Sequence, residues 1–168
     1  MPTLIRLEAG QFAEAEDGFA LVEADAELPP GGGVILSLAR FEAEGAALLD
    51  EGRAVGVLIQ PGDAVEGLAY DLPRLSLMAL AFPKFRDGRA YSSAVLLRTR
   101  LGFRGEIRAV GDVLRDQAGE MVRCGFTAFV PADGSTVEAW AASARRYRHV
   151  YQTAADRRAP AFVEREQG

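Results

Sequence analysis

The chain has 168 residues, 49% of them hydrophobic, so it is long enough for one domain with a real core and too apolar to be a disordered tail. Its formal net charge of −5 and pI near 5.0 argue against binding driven by bulk positive charge, and nucleic acid is not expected as a partner. Lys84 is the sole lysine among 19 basic residues, and His149 and Cys124 are the sole histidine and cysteine; zinc or iron–sulfur ligation, a disulfide and a P-loop are thereby excluded within one chain.

The N-terminus, MPTLIRLEAG, has a glutamate at position 8 and no apolar h-region, so it does not read as a signal peptide and a cytoplasmic location is expected. Residues 1–33 are acidic and close on Pro29-Pro30-Gly31-Gly32-Gly33, which reads as an appendage with short strands ending in a flexible joint. The triple glycine precedes a strand instead of following one, so the dinucleotide-binding context fails.

Residues 34–152 read as a single α/β domain, and 153–168 as a loosely held tail. Runs at 34–36, 55–59, 75–82, 107–110 and 127–130 have the length and composition of buried parallel strands. Between them apolar residues recur at helical spacing: Phe41, Gly45, Leu48 and Leu49, then Ala94, Leu97 and Leu101, then Leu114, Ala118, Met121 and Val122. A last helix starts at the Ser135-x-x-Glu138 capping box and carries Val137, Trp140, Ala141, Ala144, Tyr147 and Tyr151 on one stripe. The alternation predicts an open, mostly parallel sheet of about five strands with helices on both faces; a partial βα barrel is the alternative. The apolar run at 75–82 is far shorter than the roughly 20 residues a membrane helix needs, so no membrane role is expected.

In such sheets ligands sit beyond the carboxyl ends of the strands, where helix N-termini present free N–H groups. The segments there are 60–63, 83–92, 111–117 and 131–134. In the longest, Asp87-Gly88 has turn chemistry, and Arg89, Tyr91 and Ser92 stand at a helix start, where the arginine fork could grip a carboxylate, phosphate or sulfur oxyanion. A purely structural reading is open beside it: Asp87 pairs with Arg86 or Arg89, Tyr91 packs on the sheet and Ser92 caps the helix. In the second segment Asp112 fits an N-cap, while Arg115 in the first turn opposes the helix dipole and calls for a partner in Asp112, Asp116 or a ligand anion; Gln117 follows as a further binding candidate. Asp87, Asp112 and Asp116 are the candidates for acid–base work. Cys124, followed by the helix-ending Gly125, reads as an inert thiol, since a helix C-terminus disfavours a thiolate. No metal site and no nucleotide or flavin fingerprint is present, so no cofactor is assigned.

Phe82-Pro83-x-Phe85-x-Asp87-Gly88-Arg89-x-Tyr91-Ser92, then Leu96-Leu97-Arg98, Gly111-Asp112-Val113-Leu114-Arg115-Asp116-Gln117 and Arg123-Cys124-Gly125-Phe126, resembles the bacterial domain of unknown function 934 over about residues 52–151. The resemblance implies a setting beside assimilatory sulfite reductase and adenylyl-sulfate reductase, with a provisional label of oxidoreductase in sulfite reduction. It brings no established catalytic residues. The family commonly has glycine where this chain has Ala90, which matters if a positive φ is needed there. The expectation is an accessory protein of sulfate and sulfite reduction that binds an oxyanion or a reductase partner. A cofactor-independent acid–base enzyme and a pure docking module are the alternatives.

Overall fold

The computed structural model describes residues 3–146. All five expected strands are present: β4 (Gly33–Ser37), β5 (Val55–Ile59), β6 (Leu77–Phe82), β7 (Glu106–Gly111) and β8 (Ala128–Phe129). Three more come from the acidic N-terminal segment, β1 (Leu4–Glu8), β2 (Gln11–Ala15) and β3 (Phe19–Leu21), and raise the sheet to eight strands in the order β2-β1-β8-β7-β6-β5-β4-β3. From β3 to β8 every neighbouring pair is parallel, while β1 runs antiparallel to both β8 and β2.

This order corrects the expectation of helices on both faces. Strands 3 to 8 are neighbours in the order in which they occur, so each right-handed crossover steps the same way and puts its helix on the same face; a doubly wound sheet needs a reversal that this chain lacks. The helices are α1 (Leu38–Arg40) and α2 (Ala46–Asp50), joined through a π-helical turn at Phe41–Gly45, then α3 (Arg89–Thr99), α4 (Ala118–Cys124) and α5 (Val137–Ala144). Their buried residues, including Phe41, Leu48, Ala94, Leu97, Met121 and Trp140, share one core with the alternate strand positions Leu36, Val57, Met78, Leu80, Ile107 and Phe129. The intervening positions Ile35, Leu77 and Ala79 pack with Phe19, Leu58 and Val110 into a second cluster that holds no helical residue.

The sheet curls, and a short connection shows why. β2 and β3 are its two edges, and eight strands laid flat would hold them about 34 Å apart. Ala15 and Phe19, the facing ends, are four residues apart, a reach of at most about 14 Å. The result is a half-barrel, the alternative architecture of the sequence reading. It fits in so short a chain because β1, β2, β3 and β4 follow one another with no intervening helix, and β5 and β6 are joined through two 3-10 turns only.

Inside the curl runs a line of charge. Arg6 on β1 pairs with Glu106 at 2.8 Å, Glu106 with Arg108 at 2.7 Å, and Arg108 with Asp17, in the β2–β3 connection, at 2.8 Å. Arg108 is 1% exposed and its guanidinium lies 5.9 Å from the Phe19 ring centroid. Asp17 also accepts the Phe19 N–H at 3.0 Å. Gly33 gives the Phe19 ring its place, since a Cβ there would lie 2.5 Å from it.

One helix end differs in detail from its expected form and another keeps it. At α5 the N-cap is Thr136, whose hydroxyl accepts the Ala139 N–H at 3.2 Å; Ser135 instead bonds Asp133, so the Ser135–Glu138 capping box does not form. Gly125 ends α4 as expected, at φ +105°, with Phe126 N–H to Met121 O and Gly125 N–H to Val122 O in the Schellman pattern. Tyr147, His149 and Tyr151 lie outside the described residues. Among the described residues no helix is long and apolar enough to cross a membrane.

Breaking the interior charge line leaves a buried guanidinium short of a partner. Asp17→Ala is expected to lower unfolding free energy in urea by about 3 kcal/mol. Asp50→Ala, at the exposed pair with Arg74, should lower it by less than about 1 kcal/mol.

Candidate functional site at the carboxyl edge

The segments after β5, β6, β7 and β8 meet at one end of the half-barrel, the end at which βα barrels carry their sites. Gly111, at φ +97°, starts the convergence, because a Cβ there would lie 2.5 Å from the Phe82 carbonyl oxygen. The close approach lets the Asp112 N–H donate to Phe82 O at 2.6 Å and turns the Asp112 side chain toward the preceding loop.

Asp112 is therefore not an N-cap. Its Oδ2 accepts the backbone N–H of Phe85 at 2.9 Å, and the helical turn that follows starts at Arg115 with Leu114 in the cap position. Gln117, buried, accepts the Leu114 N–H through Oε1 at 3.0 Å and donates from Nε2 to the Phe85 carbonyl at 3.4 Å. The 111–117 segment thus holds Phe85 by both polar atoms of its backbone. A turn closed by Asp87 N–H to Lys84 O at 3.0 Å carries Phe85 outward, and its side chain is 47% exposed.

Asp87 and Arg89 form the pair allowed for in the structural reading. The Asp87 carboxylate accepts from Arg89 Nε at 3.0 Å, from Nη2 at 2.7 Å and from the Arg89 backbone N–H at 3.2 Å. The Arg89 guanidinium holds the Asp87 carboxyl below its usual range and is itself raised in turn. Nη1 takes no part in these bonds and lies 3.9 Å from where a Cβ of Gly62, in the β5 loop, would stand. In that loop Asp63 accepts the Gln60 N–H at 2.8 Å.

Arg115 finds its partner in neither Asp112 nor Asp116. It lies by Asp133 of the β8 segment, whose carboxyl accepts the Arg115 backbone N–H; burial pushes that carboxyl up, but bonds from Ser135 and Arg115 and the Arg115 charge more than offset it and leave it lowered. Ala132 N–H to Val113 O at 2.8 Å ties the same two segments. Asp116 is exposed.

Tyr91 and Ser92 sit differently. α3 begins at Arg89 after Gly88, so Ser92 is in the helix body and caps nothing; it lines a groove of about 430 Å³ between α3 and α4. Ala90 is helical and buried, so no positive φ is needed there. Tyr91 packs edge-on against Phe82 with centroids 5.3 Å apart and against Phe126 at 6.3 Å. Burial, with Glu120 and Cys124 nearby, pushes its phenol up to about 12, partly opposed by a hydrogen bond with Gln117. Cys124 is buried. Among the described residues no group of three or more His, Cys, Asp or Glu is placed to hold a metal.

The sequence reading missed one arginine of structural weight. Arg98 donates from Nε to Gly125 O at 3.0 Å and from Nη1 to the carbonyls of Phe103 and Gly105, both at 2.8 Å. Its Cγ lies 2.5 Å from where a Gly125 Cβ would be, so Leu96-Leu97-Arg98 and Cys124-Gly125 are one packed unit. Arginine at a helix end facing a helix-terminating glycine was the available signal.

Two outcomes are expected from this geometry. Trypsin should cut after Lys84 or Arg86 several-fold faster in Asp112→Ala and in Gln117→Ala, whereas Asp112→Asn, which keeps an acceptor oxygen, should digest like the parent. An alkaline ultraviolet titration should show one of the four tyrosines ionising near pH 12 and lost in Tyr91→Phe. Because the folded phenol sits above its ordinary 10.0, its contribution to stability is complete below pH 10 and disappears between pH 10 and about 12.

Residues 56–162 match the model of a family described as bacterial protein of unknown function, DUF934. No curated protein matches the chain.

Proposed function

From the premise that the chain belongs to the family of bacterial proteins of unknown function DUF934, we propose that it is a cytoplasmic accessory protein of assimilatory sulfate and sulfite reduction. On this reading it binds an oxyanion or a reductase partner, sulfite reductase or adenylyl-sulfate reductase, at the carboxyl edge of the half-barrel. The pathway comes from the family resemblance; the place is supported by the β5, β6 and β7 segments meeting at Phe85 and Arg89.

The observation that carries a binding role is the double hold on Phe85. Asp112 accepts from the Phe85 N–H and the buried Gln117 donates to its carbonyl, holding the backbone of a turn whose side chain faces outward, which positions a surface before anything meets it. The Arg89 fork stands beside it with Nη1 outside the Asp87 pair, suited to a planar oxyanion or a partner's carboxylate. The acid–base alternative has less support. Asp87 is bonded to Arg89 and Asp112 to Phe85, so two of the three candidate bases are engaged in holding the loop, and the third, Asp116, is exposed.

Deleting the gene should abolish growth on sulfate and on sulfite as sole sulfur source and leave growth on sulfide and cysteine intact. Rescue by sulfite would move the protein upstream of sulfite reduction, and unimpaired growth on all four sources would remove the pathway assignment.

A further inference from the structure

We infer that the turn around Phe85 is a protein-docking knob, and that its partner presents an apolar socket ringed by carboxylates. This deepens the proposed function: it chooses the reductase partner over the free oxyanion.

The argument starts from what the fold needs at position 85. Asp112 and Gln117 bind only the N–H and C=O of Phe85, at 2.9 and 3.4 Å, so they would hold any residue there equally well. The phenyl ring appears in neither hydrophobic core cluster and in no aromatic contact among the described residues. Single exposed apolar side chains are ordinary on protein surfaces. Leu21, 56% exposed, stands on an edge strand, and Tyr70, 87% exposed, lies between two 3-10 turns whose backbone bonds are local and engage its neighbours Ala69 and Asp71. Phe85 differs in that its backbone is fixed from two directions while the ring is left to solvent. An aromatic side chain on a rigid support is the group that anchors interfaces, because little conformational freedom is lost when it is buried.

Charge identifies the partner. The net charge of the chain is −5, yet the turn that carries Phe85 presents Lys84, Arg86 and Arg89 to solvent. The two carboxylates next to this turn are engaged in it, Asp112 on the Phe85 N–H and Asp87 on Arg89, while Asp116 of the following segment is exposed. Among the described residues Lys84 and Arg86 make no ion pair. A ring plus outward cations complements an acidic rim around an apolar socket, and the acidic remainder of the molecule repels the same surface elsewhere, which fixes orientation.

The test measures binding of the full chain to purified sulfite reductase and to purified adenylyl-sulfate reductase, at low and at 0.5 M salt. One of them should bind, with Kd raised at least about tenfold by Phe85→Ser and about tenfold by Lys84→Glu with Arg86→Glu, the latter pair also flattening the salt dependence. Phe85→Trp should retain binding, and Leu21→Ser should leave it unchanged. Thermal melting of each variant, expected to match the parent because the changed side chains are exposed, separates lost docking from lost folding. Binding indifferent to Phe85, binding to neither reductase, or a Phe85-dependent dimer of the protein alone overturns the proposal. Growth on sulfite separates this result from the pathway reading. A deletion strain that fails on sulfite but is fully restored by the Phe85→Ser gene keeps the accessory role and removes the knob, whereas a deletion strain that grows normally removes the accessory role itself.

Discussion

The half-barrel depends on an ion pair placed where ion pairs are costly. Arg108 is buried on the inner face of the sheet, and only a well-made set of partners offsets the desolvation of a guanidinium there. Asp17 partners its Nη1 at 2.8 Å and Glu106 its Nε at 2.7 Å, with the Phe19 ring alongside, while Nη2 is buried with no hydrogen-bond partner. The geometry is demanding because Asp17 belongs to the connection between the two edges of the sheet. The Arg108–Asp17 pair therefore ties that connection to the inner face of the curled sheet.

The curl in turn brings the site together. Four strand ends in a strongly curved sheet point their loops toward a common centre, so side chains from one loop can finish the hydrogen bonding of another. Phe82, Gly111, Asp112, Phe85 and Gln117 form such a chain across β6 and β7. Asp133 does the same for Arg115 across β7 and β8. The loops brace one another, and the carboxylates that look catalytic in the sequence are largely these braces.

What could be read from the sequence follows from the range of the forces involved. Short apolar runs marked all five central strands, and helical spacing marked Phe41, Leu48, Ala94, Leu97 and Met121, because burial of one face is a local pattern. Strand order is not local. Nothing in the spacing of β-rich runs distinguishes a sheet wound in one direction from one wound in both, and β1 to β3 are only five, five and three residues long, too short for a clear alternation. At the site, the two polar segments were legible from the strand-end rule, but their joining was not. Asp112 has the composition of an N-cap, and only the positive φ of Gly111 and its contact with Phe82 turn it toward Phe85. Phe85, between Lys84 and Arg86, carried no sequence signal of its role, because its backbone is held by residues of a loop 27 and 32 positions further along the chain.

The amine chemistry of the molecule is concentrated by its composition. With Lys84 as the only lysine, the ε-amine of the exposed turn beside Phe85 is the single side-chain amine for amine-directed reagents. Any fluorophore, biotin or surface linker attached through a lysine is thus attached next to the proposed interface. Immobilisation by that route masks the very face under study, while the same uniqueness makes Lys84 a one-position reporter of what covers it.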